Sequence, residues 1–282
     1  MLGNFEYKRI RSIEEGCQCL AEAAGDGAIL AGGTDLLVEI RNGLKSPQLL
    51  VDCKGLEPLN AFSVDESGSA IGASVALNQL IEHRGFRTTH PALADALASI
   101  GTYQIRNRAT LVGNICNASP AADAAPVLLV LDAVMEAVGV DGPRTIPIRD
   151  FFAGVKKTTL KLDEIVTTIT LPARSGLRTA FRKQQRIRGH DLAVVNVAGA
   201  YSQANKTLRL AIGSCAPTPV LVDPIEVDSK DNEAFADHVI EKLLRVVSPI
   251  SDVRASAGYR SAVLPTLVKR ILHELLSEGG GA

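Results

Sequence analysis

Residues 28–40 read Ala28-Ile29-Leu30-Ala31-Gly32-Gly33-Thr34-Asp35-Leu36-Leu37-Val38-Glu39-Ile40: an apolar run, a glycine pair and a helical pattern in immediate succession. The first four residues have the character of a short strand, whereas Leu36, Leu37 and Ile40 share one helical face. Thr34-Asp35 can cap that helix and Gly43 can close it. A glycine pair between strand and helix lets backbone amides approach an anion with no Cβ in the way, and the helix dipole favours negative charge there. The same pair also serves as a plain tight βα turn. Neither G-x-G-x-x-G nor G-x-x-x-x-G-K-S/T occurs in the chain, which argues against a Rossmann NAD site and a P-loop.

Working outward, Ser12-Ile13-Glu14-Glu15 forms a capping box that predicts a helix ending near Ala24, with Gly25 as its stop. Gln48–Asp52 reads as the next strand, so the chain starts as an α/β unit. Residues 60–75 look like a hairpin turning at Asp65-Glu66-Ser67-Gly68. Leu77, Leu80 and Ile81 give one helical face, and Pro91–Leu97 gives another helix with proline in its first turn. Asp123–Leu131 reads as a helix, with Asp132–Val140 and Arg144–Ile148 as strands. The breaker-rich Pro172-Ala173-Arg174-Ser175-Gly176 marks a boundary between a first domain, 1–173 (subdomains about 1–55 and 56–173), and a second, 174–282. Beyond it come three strand-like runs, Arg178–Arg186, Leu192–Ser202 and Leu208–Ser214, the last two joined by a turn at Gln203–Lys206. Two helices follow, Glu233–Val247 and Tyr259–Leu276, the latter expected to kink or divide at Pro265. Strands followed by helices suggest a separate α+β domain.

Composition narrows the function. With 282 residues, 46% hydrophobic and 22% charged, the chain is globular and large enough to fold without staples. A net charge of -1 argues against a nucleic-acid protein. The five scattered cysteines and a start lacking a basic, apolar leader point to a reducing cytoplasm. No apolar run reaches the roughly 18 residues of a membrane span. Cys17 and Cys19 lie about 200° apart on the first helix, so both cannot reach one metal ion. His83, His90, His190, His238 and His273 have no zinc-site spacing. No metal site and no catalytic side chain is expected.

A second stretch, Ala109-Thr110-Leu111-Val112-Gly113-Asn114-Ile115-Cys116-Asn117-Ala118-Ser119-Pro120-Ala121-Ala122-Asp123, packs short polar residues and a glycine into one irregular segment. It reads either as a long loop of Asx turns or as a second anion cradle. Asp123, near the following helix start, is suited to capping or to accepting from a ribose hydroxyl. A pyrophosphate gripped by two glycine-bearing loops accounts for both stretches. Arg182-Lys183, Arg186 and Arg188 form a basic cluster before Gly189-His190-Asp191, either a solvated strand face or a positive charge placed beside a cofactor.

LAGGTDL (Leu30–Leu36), QIRN (Gln104–Asn107), ATLVGNICNASPAAD (Ala109–Asp123) and DEIVTTITL (Asp163–Leu171), in this order, resemble the FAD-binding subunit of the molybdenum hydroxylases. That family includes bacterial xanthine dehydrogenases, carbon monoxide dehydrogenase and 4-hydroxybenzoyl-CoA reductase, and the resemblance spans nearly the whole chain. It extends to Arg254-Ala255-Ser256 with Tyr259-Arg260. The resemblance implies a mixed α+β fold: a two-subdomain FAD-binding unit of the vanillyl-alcohol-oxidase type, then a C-terminal domain with a three-stranded antiparallel sheet and helices. It places Ala31, Gly32, Gly33, Thr34, Asp35 and Leu36 in a first pyrophosphate loop. Thr110, Gly113 and Asn114 fall in a second, with Ile115 and Ser119 nearby, and Asp123 at the ribose or adenosine end. Ile165 and Val166 would pack the nucleotide's ring, and Lys183 would lie close to the flavin.

The same resemblance implies an electron-transfer oxidoreductase subunit. Its partners would be a large molybdenum-cofactor chain and a small chain carrying 2Fe–2S clusters, with NAD+ or another molecule as acceptor. Two other readings are a self-sufficient FAD oxidoreductase of the same superfamily and a scaffold subunit that has lost FAD. The second loop departs from the family's usual Thr/Ser-x-Gly-Gly-Asn, with Val112 at the first glycine. Were that position at positive φ, valine there would cost about 1–3 kcal/mol. The milder expectation is ordinary φ with the side chain turned from the cofactor.

Overall fold

A computed structural model describes residues 4–173, 176–187, 189, 191–227 and 233–277. Arg174, Ser175, Arg188, His190 and the 279–281 glycine tail lie outside the described residues. The chain opens with β1 (Glu6–Arg9), α1 (Ile13–Glu22), β2 (Gly27–Leu30), α2 (Leu36–Arg41) and β3 (Leu49–Asp52), whose strands make a parallel sheet in the order β1-β3-β2. Ser12 Oγ accepts the Glu15 amide at 3.1 Å. Glu15 reaches back one residue further than the capping box predicts, accepting the Arg11 amide at 2.7 Å. The helix ends through Ala24 and Gly25, at φ 48° and 102°.

The next part comprises α3 (Glu57–Asn60), β4 (Phe62–Asp65), β5 (Gly68–Gly72), α4 (Leu77–Glu82), α5 (Arg84–Thr89), α6 (Pro91–Ala98), α7 (Tyr103–Arg106), α8 (Leu111–Cys116) and α9 (Ala124–Val130). It is completed by β6 (Val134–Gly139), β7 (Gly142–Pro147), β8 (Phe152–Gly154), β9 (Lys157–Thr158) and β10 (Ile165–Pro172). An antiparallel sheet runs β4-β5-β10-β6-β7, with β8-β9 a separate hairpin. The segment 109–123, expected to be irregular, and the six residues before it contain two short helices. Threonine caps override their glycine and asparagine content: Thr102 Oγ1 accepts the Ile105 amide at 3.3 Å, and Thr110 Oγ1 the Gly113 amide at 3.0 Å.

His90, buried between α5 and α6, has its Nε2 2.7 Å from Ser69 Oγ. Burial pushes its pKa down to about 4. In the unfolded chain it titrates near 6.5, so its neutral form costs nothing above that pH, and stability is lost as pH falls from 6.5 towards 4. Urea unfolding is expected to show about 2 kcal/mol lost from this residue between pH 6.5 and pH 5. His90→Gln should lack that part of the slope; an identical pH profile for both proteins would refute the assignment.

The C-terminal sheet holds β11 (Leu177–Gln184), β12 (Val195–Ser202), β13 (Thr207–Gly213), β14 (Val220–Leu221) and β15 (Ile225–Glu226), covered by α10 (Glu233–Val246) and α11 (Ala257–Leu276). It is five-stranded rather than three-stranded: β14 and β15 both pair with β13, and each is too short to show a period in sequence. Pro265 does not divide α11. The helix packs a buried face of Leu264, Leu267, Val268, Ile271, Leu272 and Leu275 onto the sheet, which offsets the roughly 3 kcal/mol cost of an internal proline. At Gly199 the approach is so close that a Cβ would stand 2.6 Å from Ile271 Cγ2. Alternation along β12 turns Val195, Val197 and Tyr201 towards α11, and Ala198 and Ala200 towards the core shared with α6 and α9. Arg260, fully buried, donates to the carbonyls of Val194 and Ser214 and to Asp252 Oδ1. Among the described residues no helix is long and apolar enough to cross a membrane.

Candidate functional site

Both glycine-bearing stretches open onto one cleft of about 970 Å³, at the upper end of the roughly 300–1,000 Å³ typical of ligand sites. Its wall includes Ala31, Gly32, Gly33, Thr34, Asp35 and Leu36 from the β2–α2 turn, and Thr110, Gly113, Asn114 and Ser119 from the second stretch. Asp123, Ile165, Val166 and Lys183 complete the set expected from sequence. Ile115 does not line the cleft: it is fully buried in the core. Because 111–116 is helical, Ile115 is turned about 100° from Asn114 and points inward.

Backbone contact between the two stretches explains the first glycine. A Cβ on Gly32 would lie 2.2 Å from the Arg108 carbonyl oxygen. Gly33 takes φ +74°, the left-handed region that favours glycine. Among the described residues, the amides of Gly32, Gly33, Thr34 and Asp35 donate to no backbone carbonyl. A turn with free amides and no Cβ suits an anion. Among the described residues, Asn114 adds a buried Oδ1 without a protein partner at the same wall. Volume, free amides and orphaned acceptor together fit a dinucleotide such as FAD.

Asp35 occupies the N-cap position of α2, but its side chain does not cap. Its Oδ2 instead accepts from Asn117 Nδ2 at 3.0 Å, joining the two stretches. Val112 has ordinary helical φ, so no backbone strain arises there; it is buried and contributes to the cleft wall.

Asp123 stands at the start of α9 and also does not cap it. Its Oδ2 accepts from Lys183 Nζ at 2.7 Å and its Oδ1 from Asn196 Nδ2 at 2.8 Å. Burial pushes the Asp123 carboxyl above its ordinary range, against the opposing pull of Lys183 and Asn196. Lys183 also donates to the Ser99 carbonyl at 3.0 Å, with its side chain 6% exposed. It is thus no part of a solvated strand face. Its neighbours are engaged as well: Arg182 pairs with Glu274, and Arg186 with Asp191.

Cys17 and Cys19 are buried, and Cys17 Sγ donates to the Val138 carbonyl at 3.2 Å. Cys116 lies at the cleft wall, where burial pushes its thiol up to about 12. Sequence reasoning gave no role to Asn117, Lys156 or Asn196. Nothing local marks them, because each acts on a residue at least 39 positions away.

Comparison with known proteins agrees with this geometry. A family model described as the FAD binding domain in molybdopterin dehydrogenase matches residues 3–174. A second, the CO dehydrogenase flavoprotein C-terminal domain, matches residues 179–275. The chain is 32% identical to the xanthine dehydrogenase FAD-binding subunit of Escherichia coli O157:H7, over 98% of this chain and 97% of the relative. It is 29% identical to the glyceraldehyde dehydrogenase medium chain of Sulfolobus acidocaldarius, over 96% and 98%. A solved structure of carbon monoxide dehydrogenase from Hydrogenophaga pseudoflava superposes with a TM-score of 0.92 at 28% identity, covering 97% of each chain. A cleft built for a dinucleotide, two family domains in series and relatives matched end to end converge on one conclusion: the chain belongs to the FAD-binding medium subunits of the molybdenum hydroxylases, the xanthine and carbon monoxide dehydrogenase family of oxidoreductases.

Proposed function

We propose that this chain is the electron-relay subunit of a multi-chain hydroxylase. It would take electrons from 2Fe–2S clusters on a small partner and pass them to NAD+ or another acceptor, while a large partner holds the molybdenum cofactor. The observation that carries this reading is the meeting of both glycine-bearing stretches at one cleft. When bound there, FAD supplies one- and two-electron chemistry at its ring system. The chain's residues then bind and orient. Within Ala31–Leu36 the free amides of Gly32, Gly33, Thr34 and Asp35 hold the pyrophosphate together with the side chains of Thr110 and Asn114, while Gly113, its amide taken by Thr110 Oγ1, leaves room for close approach and Ser119 stands beside them. Ile165 and Val166 give an apolar wall for a ring. Asp123 accepts from the ribose or adenosine end, and Lys183 places a fixed positive charge at the cleft. The division is between a cofactor-holding part, 1–173, and a part, 174–282, that supplies Lys183 and partner contacts.

The ordinary φ of Val112 favours retained FAD over a scaffold that has lost it. Purified protein is expected to carry FAD near one per chain by its visible absorbance, and to capture its two partner chains on co-expression. A colourless protein that takes up no added FAD would overturn the cofactor assignment. An isolated chain that turns over a small substrate without partners would overturn the relay role.

A further inference from the structure

The rim of the cleft carries a chain of polar contacts that the cofactor-holding residues leave unexplained. Lys156, in the turn between β8 and β9, donates from Nζ to Asn117 Oδ1 at 2.6 Å and to Glu39 Oε1 at 3.0 Å. Asn117 passes the link to Asp35 through its Nδ2. Glu39 takes a second cation, Lys45, at 2.9 Å. The Lys156 amide donates to the Ala118 carbonyl at 2.9 Å, fixing the turn against the residue that follows Asn117. Three separate segments are thereby tied across the mouth: the helix after the first glycine turn, the end of α8, and the β8–β9 hairpin. All five side chains in this network lie at the cleft wall.

Lys156 adopts φ 57°, a left-handed conformation unusual for a lysine. Glycine would occupy that position with less strain, so the conformation gives no reason for a long cationic side chain. The reach to both Asn117 and Glu39 does.

We infer that Lys156 is a positioning residue: with Asn117 it forms a clasp that holds the two FAD loops at fixed separation and slows release of the cofactor. The inference rests on the proposed FAD site. The clasp belongs to the holo state's lifetime more than to folding, because each contact is at the rim, with the Lys156 side chain 45% exposed. Exposed ion pairs are weak singly and are screened by salt. Their effect should therefore appear in a release rate and in its dependence on ionic strength.

The test is FAD release from the purified full chain, followed by recovery of flavin fluorescence at low and high sodium chloride. Lys156→Gly removes the amine and relieves the backbone. It should leave the apo-protein's melting temperature unchanged or higher, yet release FAD about five- to tenfold faster at low salt. Its rate should be nearly insensitive to salt, whereas the wild type accelerates. Asn117→Ala should also release FAD faster but keep part of the salt response, because the Lys156–Glu39 ion pair remains, and Lys156→Arg should recover most of the slow release. Release from Lys156→Gly within twofold of wild type, or acceleration with an undiminished salt response, would overturn the clasp. A wild-type chain that takes up no FAD would instead sink the cofactor assignment on which the clasp depends.

Discussion

Gly32→Ala is expected to strip the protein of FAD while leaving its fold in place. The added Cβ would sit 2.2 Å from the Arg108 carbonyl oxygen, 2.9 Å from its carbon and 3.0 Å from Ala109 Cα. All three are backbone atoms, so no rotamer change relieves the overlap. The turn at Gly32 and the strand-like approach to Thr110 must move apart, and those are the two walls that the cofactor has to bridge. Overpacking of this kind costs about 1–3 kcal/mol, which, taken from binding, weakens FAD by roughly 10- to 100-fold. The overlap lies at the cleft wall, where the exposed Arg108 can shift although Ala109 belongs to the core, so the melting temperature of the apo-protein should fall less than FAD affinity does. Gly43→Ala is the matching control: it has positive φ but nothing within 4 Å, and should cost some stability with no loss of FAD. The ratio of flavin-band to protein absorbance after desalting reads the result. Retention of FAD by Gly32→Ala at the wild-type ratio would show that the close approach is not what glycine is there for.

The same position shows what a sequence can disclose about such a site. A glycine pair after an apolar run is legible because the constraint is local: a turn, then a helix start. Its partner surface, the Arg108–Ala109 backbone, is not legible, since nothing in the residues around 108 encodes a neighbour some 75 positions earlier. The irregular look of 109–123 also misled. Asparagine and glycine outnumber leucine there, yet a threonine cap is enough to turn a short helix, and that turn sends Ile115 into the core while keeping Asn114 at the cleft. Similarly, β14 and β15 consist of two residues each, and only pairing with β13 makes them strands. Lys183 was visible as a charge but not as a buried one. Its partner Asp123 is 60 residues away, on the other side of the proposed boundary.

That buried pair supports the second large effect. Lys183→Met should destabilise the protein by about 3–5 kcal/mol at pH 7, because it leaves the Asp123 carboxylate enclosed with no cation. Asn196 Nδ2 and the Ser99 hydroxyl would remain as donors, and neutral donors do not balance a charge. The double variant Asp123→Asn/Lys183→Met removes the stranded charge together with its partner and should recover most of the loss, since replacing both members of a buried pair is often nearly neutral. The pH dependence has a definite sign. In Lys183→Met the folded-state pKa of Asp123 is driven further above its unfolded value near 3.9, so the penalty is full at neutral pH. It shrinks as pH falls, because the folded carboxyl takes up a proton before the unfolded one does. Urea unfolding of wild type, single and double variants at pH 7 and pH 5 reads both effects. Equal destabilisation by the single and double variants, or a single-variant penalty that does not diminish at pH 5, would mean that Lys183 acts through packing of its alkyl chain. If the penalty does diminish, the charge of Lys183 is what allows a carboxylate to stand at the junction of α9, β11 and β12, and the C-terminal sheet becomes a structural requirement for the cleft it helps to wall.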